Sequence, residues 1–529
     1  MRALYQRFSE ALKRICEVKY SVDIVPPLWE IPRQKQFGDF STMIALKIAS
    51  KLKCEPLKVA IDIKKILNEE LSDEVERIEV IQPGFVNIFV STRGLIQSFN
   101  RILEKKSNFF KEKRKRRVLL EFVSANPTGP LSIAHGRQAV VGDVIGRILE
   151  FFGNEVTREY YINDEGRQID LLILSIKEMI KKIKGEGFKF PQDGYRGVYI
   201  TKVAQKAMKT KEKNLKDFAI SCLLALIKND LASLNIEFDS WFSQRALIKK
   251  KFVDKTVELL KSKGLACKRD QALWFISSRF GDDKDRVLKK KNGQLTYFAS
   301  DIAYHKNKVR RGFDKLINLW GPDHHGYIKR MNAAIKALGY NNDILDIIII
   351  QLVSLKSKER MSRRRGTAIL LSELIEEVGA DAARFYYLLR RNSSPLEFDI
   401  DLAKSASLDN PLYYIQYAHA RILSIFRKAK IKKFAPGYSK FLEEEELTLI
   451  RDILQFSYYL DKVYYNLEPV YLVEYLKSLA ASFHQFYEKK RVLDGGKRKI
   501  YAKLNLLEAA RIVLDCGLKI LGIKPLTKM

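Results

Sequence analysis

Residues 124–137 read Ser124-Ala125-Asn126-Pro127-Thr128-Gly129-Pro130-Leu131-Ser132-Ile133-Ala134-His135-Gly136-Arg137, and the run Gln138 to Gly142 follows. Val118 to Val123 before it is a short apolar run of strand length. Behind it, helical spacing extends from about His135 to Phe152 and closes at Gly153-Asn154. A second strand pattern, Val156 to Ile162, ends at Asn163-Asp164. Strand, loop, helix and strand make a βαβ unit, which predicts a parallel sheet with helices on its faces. In such sheets ligands bind beyond the carboxyl ends of the strands. A helix N-terminus there offers free N–H groups and a partial positive charge to phosphate. Pro127 and Pro130 stiffen the loop and Gly129 permits close backbone approach. His135 is placed to donate to a phosphate oxygen; its plainer reading is a cap at the helix start.

The alternation resumes at Leu316 to Trp320 and Ile347 to Val353, while residues 185–280 are less regular and Lys-rich, as an insertion would be. Ahead of the sheet, residues 1–105 carry two helical patterns and two β-rich runs, Ile78 to Gln82 and Phe85 to Ser91. These meet at Pro83-Gly84 as a hairpin. The tract Lys111 to Arg117 reads either as a solvated connector or as an RNA contact. From about Asn410 only helical spacing remains, through Tyr413 to Phe426, Leu447 to Tyr465, Val470 to Tyr487 and Leu504 to Leu521. That end holds 21 Lys and Arg against 12 Asp and Glu, and 12 of the chain's 24 tyrosines. Basic charge among aromatics suits RNA, whose bases stack on rings, although a bundle with tyrosines at its rim reads alike.

Over 529 residues, 95 Lys and Arg face 63 Asp and Glu, a formal charge of +32. The excess favours a polyanionic partner through counterion release. No apolar run reaches the ~18 to 20 residues that span a bilayer. The N-terminal MRALYQRFSEALKRI reads as an amphipathic helix without a signal-peptide core. Five cysteines, scattered and odd in number, offer neither a disulfide framework nor metal spacing, which fits a reducing, cytoplasmic setting.

The opening stretch resembles the first motif of class I aminoacyl-tRNA synthetases, called HIGH. The flanking S-A-N-P-T-G-P-L and Gly142-Asp143 look specifically like arginyl-tRNA synthetases. Further blocks agree in order: Phe37-Gly38-Asp39-Phe40 with Ala45-Leu46, then Tyr160 to Gln168, Asp301 to His305, Gly321 to Gly326, and Asn410 to Arg421. Arg360-Met361-Ser362-Arg363-Arg364-Arg365-Gly366 resembles the second class I motif, KMSKS. The resemblance implies a multidomain α/β plus all-α chain. It would have a small N-terminal α+β domain (1–105), a Rossmann-like catalytic domain (106–405) and a helical anticodon-binding bundle (406–529).

It also implies the chemistry. ATP with Mg2+ would lie against Pro130, Ser132, His135, Gly136, Gly321, Asp323, His324, Met361 and Ser362, and Ser132, His135, Arg360 and Arg363 would stabilise the reacting phosphates. L-arginine would be held by Glu121, Ser124, Asn126, Tyr297 and Asp301. Tyr297 and Asp301, four apart on a predicted helix, share a face, and Asp301 is the expected guanidinium partner because a carboxylate accepts two parallel N–H bonds. Structural ion pairing is the other reading of Glu121 and Asp301. Phe37, Tyr413, Gln416, Tyr417 and Arg421 would meet tRNA(Arg). No structural metal is expected, although Asp323-His324-His325 raises the question, and the family suggests a monomer.

The departures lie in the motifs. Ser132 stands where HIGH has its first histidine and Ala134 where it has glycine, while Arg360 and Arg363 replace lysines. A hydroxyl bonds phosphate without positive charge, and a guanidinium is not a geometric copy of an ammonium. The alternative is therefore a non-catalytic paralogue that binds tRNA or arginine.

Overall fold

In a computed structural model, residues 4–24, 26, 28–210, 214–356, 369–430, 434 and 437–529 are described. Two compact units form: Met1–Glu112 together with Ser405–Met529, and Lys113–Lys404.

The first unit begins with α1 (Leu4–Arg14), β1 (Phe40–Thr42), α2 (Ile44–Leu52) and α3 (Pro56–Glu70). Then come β2 (Val75–Ile81), β3 (Phe85–Val90) and α4 (Thr92–Lys105). The expected hairpin is there: β2 and β3 pair antiparallel and β1 adds to the far side of β3. Ser91 caps α4 by accepting from the Gly94 N–H at 3.0 Å, which ends β3 and starts the helix within one residue.

The second unit holds a five-stranded parallel sheet in the order β11-β10-β4-β5-β6. In chain order it runs β4 (Arg117–Glu121), α5 (Ile133–Phe151), β5 (Glu155–Ile162), α6 (Arg167–Lys184), α7 (Val198–Lys209), α8 (Leu215–Ser233) and β6 (Ser240–Ser243). Next are α9 (Gln244–Lys249), α10 (Phe252–Ser262), β7 (Ala266–Arg269), β8 (Ala272–Phe275), β9 (Arg286–Lys289) and α11 (Tyr297–Arg310). The unit closes with β10 (Lys315–Trp320), α12 (Ile328–Ala337), β11 (Leu345–Ile349), β12 (Val353–Leu355), α13 (Leu371–Val378), α14 (Ala380–Tyr387), β13 (Leu396–Phe398) and α15 (Ile400–Lys404). Val118, Leu119 and Leu120 are all buried, as expected where both sheet faces are covered.

Two expectations change. The irregular 185–280 stretch contributes the edge strand β6, hydrogen-bonded to β5, so part of it belongs to the sheet itself. The single strand read over Ile347 to Val353 is two: β11 leaves the sheet at Ile349, and β12 pairs with β13 elsewhere. The buried Arg137 guanidinium explains the break, because it takes the Gln351 carbonyl at 3.1 Å together with the carbonyls of Ser394 and Arg391 at 2.8 Å each.

The chain returns to the first unit with α16 (Pro411–Ala429), α17 (Glu444–Leu454), α18 (Phe456–Asn466), α19 (Val470–Lys489) and α20 (Lys497–Ile520). Asn410 caps α16 from its side chain, and Pro411 occupies the first turn, where its missing N–H costs nothing. The pattern read as one helix over Leu447 to Tyr465 is divided at Gln455. Among the described residues no helix is long and apolar enough to cross a membrane.

Candidate functional site

β4 ends in a strained turn. Val123 has φ 65° and Ser124 φ 41°, two consecutive non-glycine residues in the left-handed region. For a β-branched residue this is a true outlier, costing about 1–3 kcal/mol and common where a site over-determines the backbone. The neighbours hold it there. The Ser124 hydroxyl donates to Glu121 Oε1 and accepts the Tyr161 N–H, both at 3.0 Å, and Tyr160 Oη donates to the Ala125 carbonyl at 2.8 Å.

Beyond that turn, at the carboxyl ends of β4, β5 and β10, a cleft of about 500 Å³ opens. It is lined by Glu121, Ser124, Asn126, His135, Tyr297, Asp301, Gly321, Asp323 and His324, nine residues singled out from sequence.

One end of the cleft is built on α11. Lys308 is fully buried and donates to Glu121 Oε2 and, at 2.8 Å, to Asn318 Oδ1. Asn318 Nδ2 lies 2.8 Å from His305 Nε2, and His305 Nδ1 lies 2.8 Å from the Asp301 carbonyl. The carbonyl can only accept, so His305 carries its proton on Nδ1 and accepts from Asn318. Burial and the Lys308 charge push the His305 pKa down to about 3, keeping it neutral. Asp301 Oδ2 accepts from Tyr327 Oη at 2.5 Å. Burial raises its pKa to about 7; the Glu121 charge adds to the rise, and the Tyr327 bond and Lys308 oppose it. Deeper, Arg311 and Tyr304 clamp Glu159 of β5, at 2.6–2.8 Å, which anchors α11 against the sheet.

At the other end, α5 starts at Ser132. The Ser132 N–H donates to His135 Nδ1 at 3.1 Å, and the Ser132 hydroxyl lies 3.0 Å from the same nitrogen. Burial lowers the His135 pKa, so the ring is neutral near pH 7. The loop is tied on both sides: Leu131 N–H donates to Asp230 Oδ2 at 3.2 Å, Ile133 N–H to the Ile369 carbonyl at 3.2 Å, and Leu131 accepts from Leu371 N–H at 2.8 Å.

Several expected contacts are not brought to the cleft. Pro130 and Ser132 do not line it. Gly136 is buried in helix packing: a Cβ there would stand 2.5 Å from Leu371 Cδ1 and 2.6 Å from Tyr387 Oη. Its small size thus serves the approach of α13 and α14. Gly142 has the same role against the Phe122 ring, 2.4 Å from a built Cβ. Arg360, Met361, Ser362 and Arg363 lie outside the described residues. In the first unit Gln416 is corrected: it is buried, with its amide bonded to the Lys524 carbonyl at 2.9 Å and the Leu526 N–H at 2.7 Å. Anchoring the chain end takes it off the surface. Tyr413, Tyr417 and Arg421 stay half-exposed. Tyr413 and Tyr417 stack at 6.3 Å with 6° between planes, and Arg421 lies over Tyr417 and Tyr487. Phe37 is 37% exposed.

The sequence reading missed Lys308, His305, Tyr327 and Gln138. The signal for two of them was present, since 297, 301, 305 and 308 follow helical spacing along one face of α11.

A parallel sheet with its cleft at the strand ends, a helix N-terminus at one side and a buried carboxylate at the other is the frame of a class I synthetase catalytic domain. Residues 98–391 match the family model described as "tRNA synthetases class I (R), catalytic domain". Residues 2–90 match "Arginyl tRNA synthetase N terminal domain" and 415–529 "DALR anticodon binding domain". The chain is 40% identical to the arginine–tRNA ligase of Thermotoga maritima, with 100% of both chains covered. It is 39% identical to that of Aquifex aeolicus, over 94% of this chain and 96% of the relative. The fold is that of the Thermus thermophilus arginyl-tRNA synthetase structure, with TM-score 0.82, 21% identity and coverage of 99% and 100%. The chain belongs to the arginyl-tRNA synthetase family.

Proposed function

We propose that the chain is an arginine–tRNA ligase whose cleft binds magnesium–ATP and L-arginine and charges the 3' end of tRNA(Arg). The observation that carries this reading is that a buried carboxylate for a cation and a helix N-terminus for phosphate share one cleft. The Asp301 carboxylate, oriented by Tyr327, receives the guanidinium, with Tyr297 at the same wall. Asn126 and Ser124 border the amino-acid end, where Lys308 holds the Glu121 carboxyl in place. The His135 ring and the α5 N-terminus meet the triphosphate; Gly321, Asp323 and His324 border the nucleotide, and Arg360 and Arg363 close over the departing pyrophosphate.

The arginine carboxylate attacks the α-phosphate, forming arginyl-adenylate and releasing pyrophosphate. The terminal adenosine hydroxyl of the tRNA then attacks the activated carbonyl and AMP leaves. No side chain becomes covalently modified; catalysis is placement plus stabilisation of developing negative charge. Phe37 and the Tyr413–Tyr417–Arg421 face of α16 contact the tRNA, the latter by stacking. A monomer acting in the cytoplasm completes the proposal.

ATP–pyrophosphate exchange with arginine and tRNA(Arg) tests it. Exchange with arginine, and not with the other amino acids, is the expected result. No exchange under any condition would leave the non-catalytic paralogue, a reading that no observation here favours.

A further inference from the structure

Two groups of one residue converge on one atom of His135. Nδ1 is 3.1 Å from the Ser132 main-chain nitrogen and 3.0 Å from the Ser132 hydroxyl. A main-chain N–H can only donate, so Nδ1 must present its lone pair, and a neutral imidazole with a bare Nδ1 carries its proton on Nε2. Protonating Nδ1 would set two N–H groups head to head. The geometry therefore points to a fixed tautomer: we propose that Ser132 is a positioning residue that holds His135 neutral with Nε2–H available to the cleft. This rests on the reading of the α5 N-terminus as the phosphate end.

Ser132 thus works through His135. It does not line the cleft, whereas His135 does. Its main-chain bond closes the first turn of α5 from outside, and its hydroxyl gives Nδ1 a second donor. Hydrogen bonds to the neutral form disfavour the charged form, in the same direction as burial. The position where the family motif has a histidine is here used to orient the histidine that remains. On this account Ser132→His brings no gain in turnover, because it removes the hydroxyl donor from Nδ1.

The titratable groups that line the same cleft are Glu121 on β4, Tyr161 on β5, Glu165 after it, Tyr297, Asp301, Tyr304 and His305 on α11, and Asp323, His324 and Tyr327 after β10, while Asp230 on α8 bonds the loop at Leu131. Among the described residues none of them bonds to the His135 ring. Among the described residues it is Ser132 that contacts the ring, at Nδ1.

The test reads protonation of the ring directly. The full chain is labelled with 15N in its histidine side chains, of which there are six, and His135→Gln assigns the signal. Without substrates, wild type should show a bare Nδ1 and a protonated Nε2 near neutral pH, titrating below the midpoint of a free histidine. Ser132→Ala keeps the main-chain bond but loses the hydroxyl, so its midpoint should rise by about half a pH unit or more. Ser132→Thr should restore it. The acidic limb of the exchange rate should move with the midpoint in Ser132→Ala and return in Ser132→Thr. A protonated Nδ1 in wild type, or the same titration in wild type and Ser132→Ala, overturns the proposal. The wild-type spectrum needs no variant to fold, and it decides the tautomer even if exchange activity proves absent.

Discussion

The two ends of the cleft solve opposite electrostatic problems by different means. The α11 end is a closed network of charges. Lys308 is buried against Glu121, Asn318 and His305 continue the chain of bonds, and Tyr327 orients Asp301. Removing such groups from water is expensive and is repaid only when every partner is in place. The α5 end, among the described residues, uses neutral donors: a helix N-terminus and an uncharged imidazole. On the proposed reading a cationic ligand is thus met by carboxyl groups held in place by Lys308 and Tyr327. An anionic one is met by dipoles that need no counter-charge of their own. On the proposed reading, the difference concentrates discrimination at α11 and rate at α5.

That division is broken most severely at Asp301. Asp301→Asn leaves a guanidinium without its carboxylate, a loss of about 3 kcal/mol or more. The arginine kcat/KM in pyrophosphate exchange should fall at least about 100-fold while the KM for ATP holds. His135→Ala should show the converse, a kcat about 100-fold lower, as for other single donors to a developing anion, with the arginine KM little changed. Lys308→Met strands Glu121 in the interior and should cost about 3 kcal/mol of stability, visible as a lowered denaturant midpoint.

A smaller effect follows from pH. The Asp301 carboxyl titrates near 7 because it is raised, so the carboxylate form dominates only above that value. Arginine affinity should be flat above pH 7 and fall by up to about tenfold per pH unit below it, measured by titration calorimetry. Arginine binding should release a proton near pH 7. The same raised value means the folded state is favoured on the acid side, and that part of stability is lost as pH rises through about 7. The least effect belongs to the other unit: Tyr417→Ala removes one stacking face and should raise the tRNA KM about tenfold, leaving arginine activation untouched.

Much of the α5 end was legible because it is local. Ser124 to Gly142 carries its strand, loop and helix in one run, and the βαβ reading matches β4, α5 and β5 to within a few residues. The α11 end was legible only in part. Tyr297 and Asp301 share a helical face, but Lys308 looks like any solvated lysine until β4 and β10 bury it. Tyr327 reaches Asp301 from 26 residues away through a turn that sequence spacing does not describe. The surroundings of Gly136 and Gln416 were not legible for one reason: each sits in a recognisable motif, yet distant segments, Leu371 and Tyr387 for one and Lys524 and Leu526 for the other, pack against it. The division of Ile347 to Val353 likewise follows from Arg137, more than 200 residues earlier.

The central claim, that fixed charge at α11 selects the substrate, is tested most directly by citrulline. It has nearly the shape of arginine and no positive charge. In pyrophosphate exchange with tRNA(Arg) at pH 8, the wild-type protein should use arginine and not citrulline, and Asp301→Asn should lose most of that preference. An Asp301→Asn protein that still strongly prefers arginine would contradict the account.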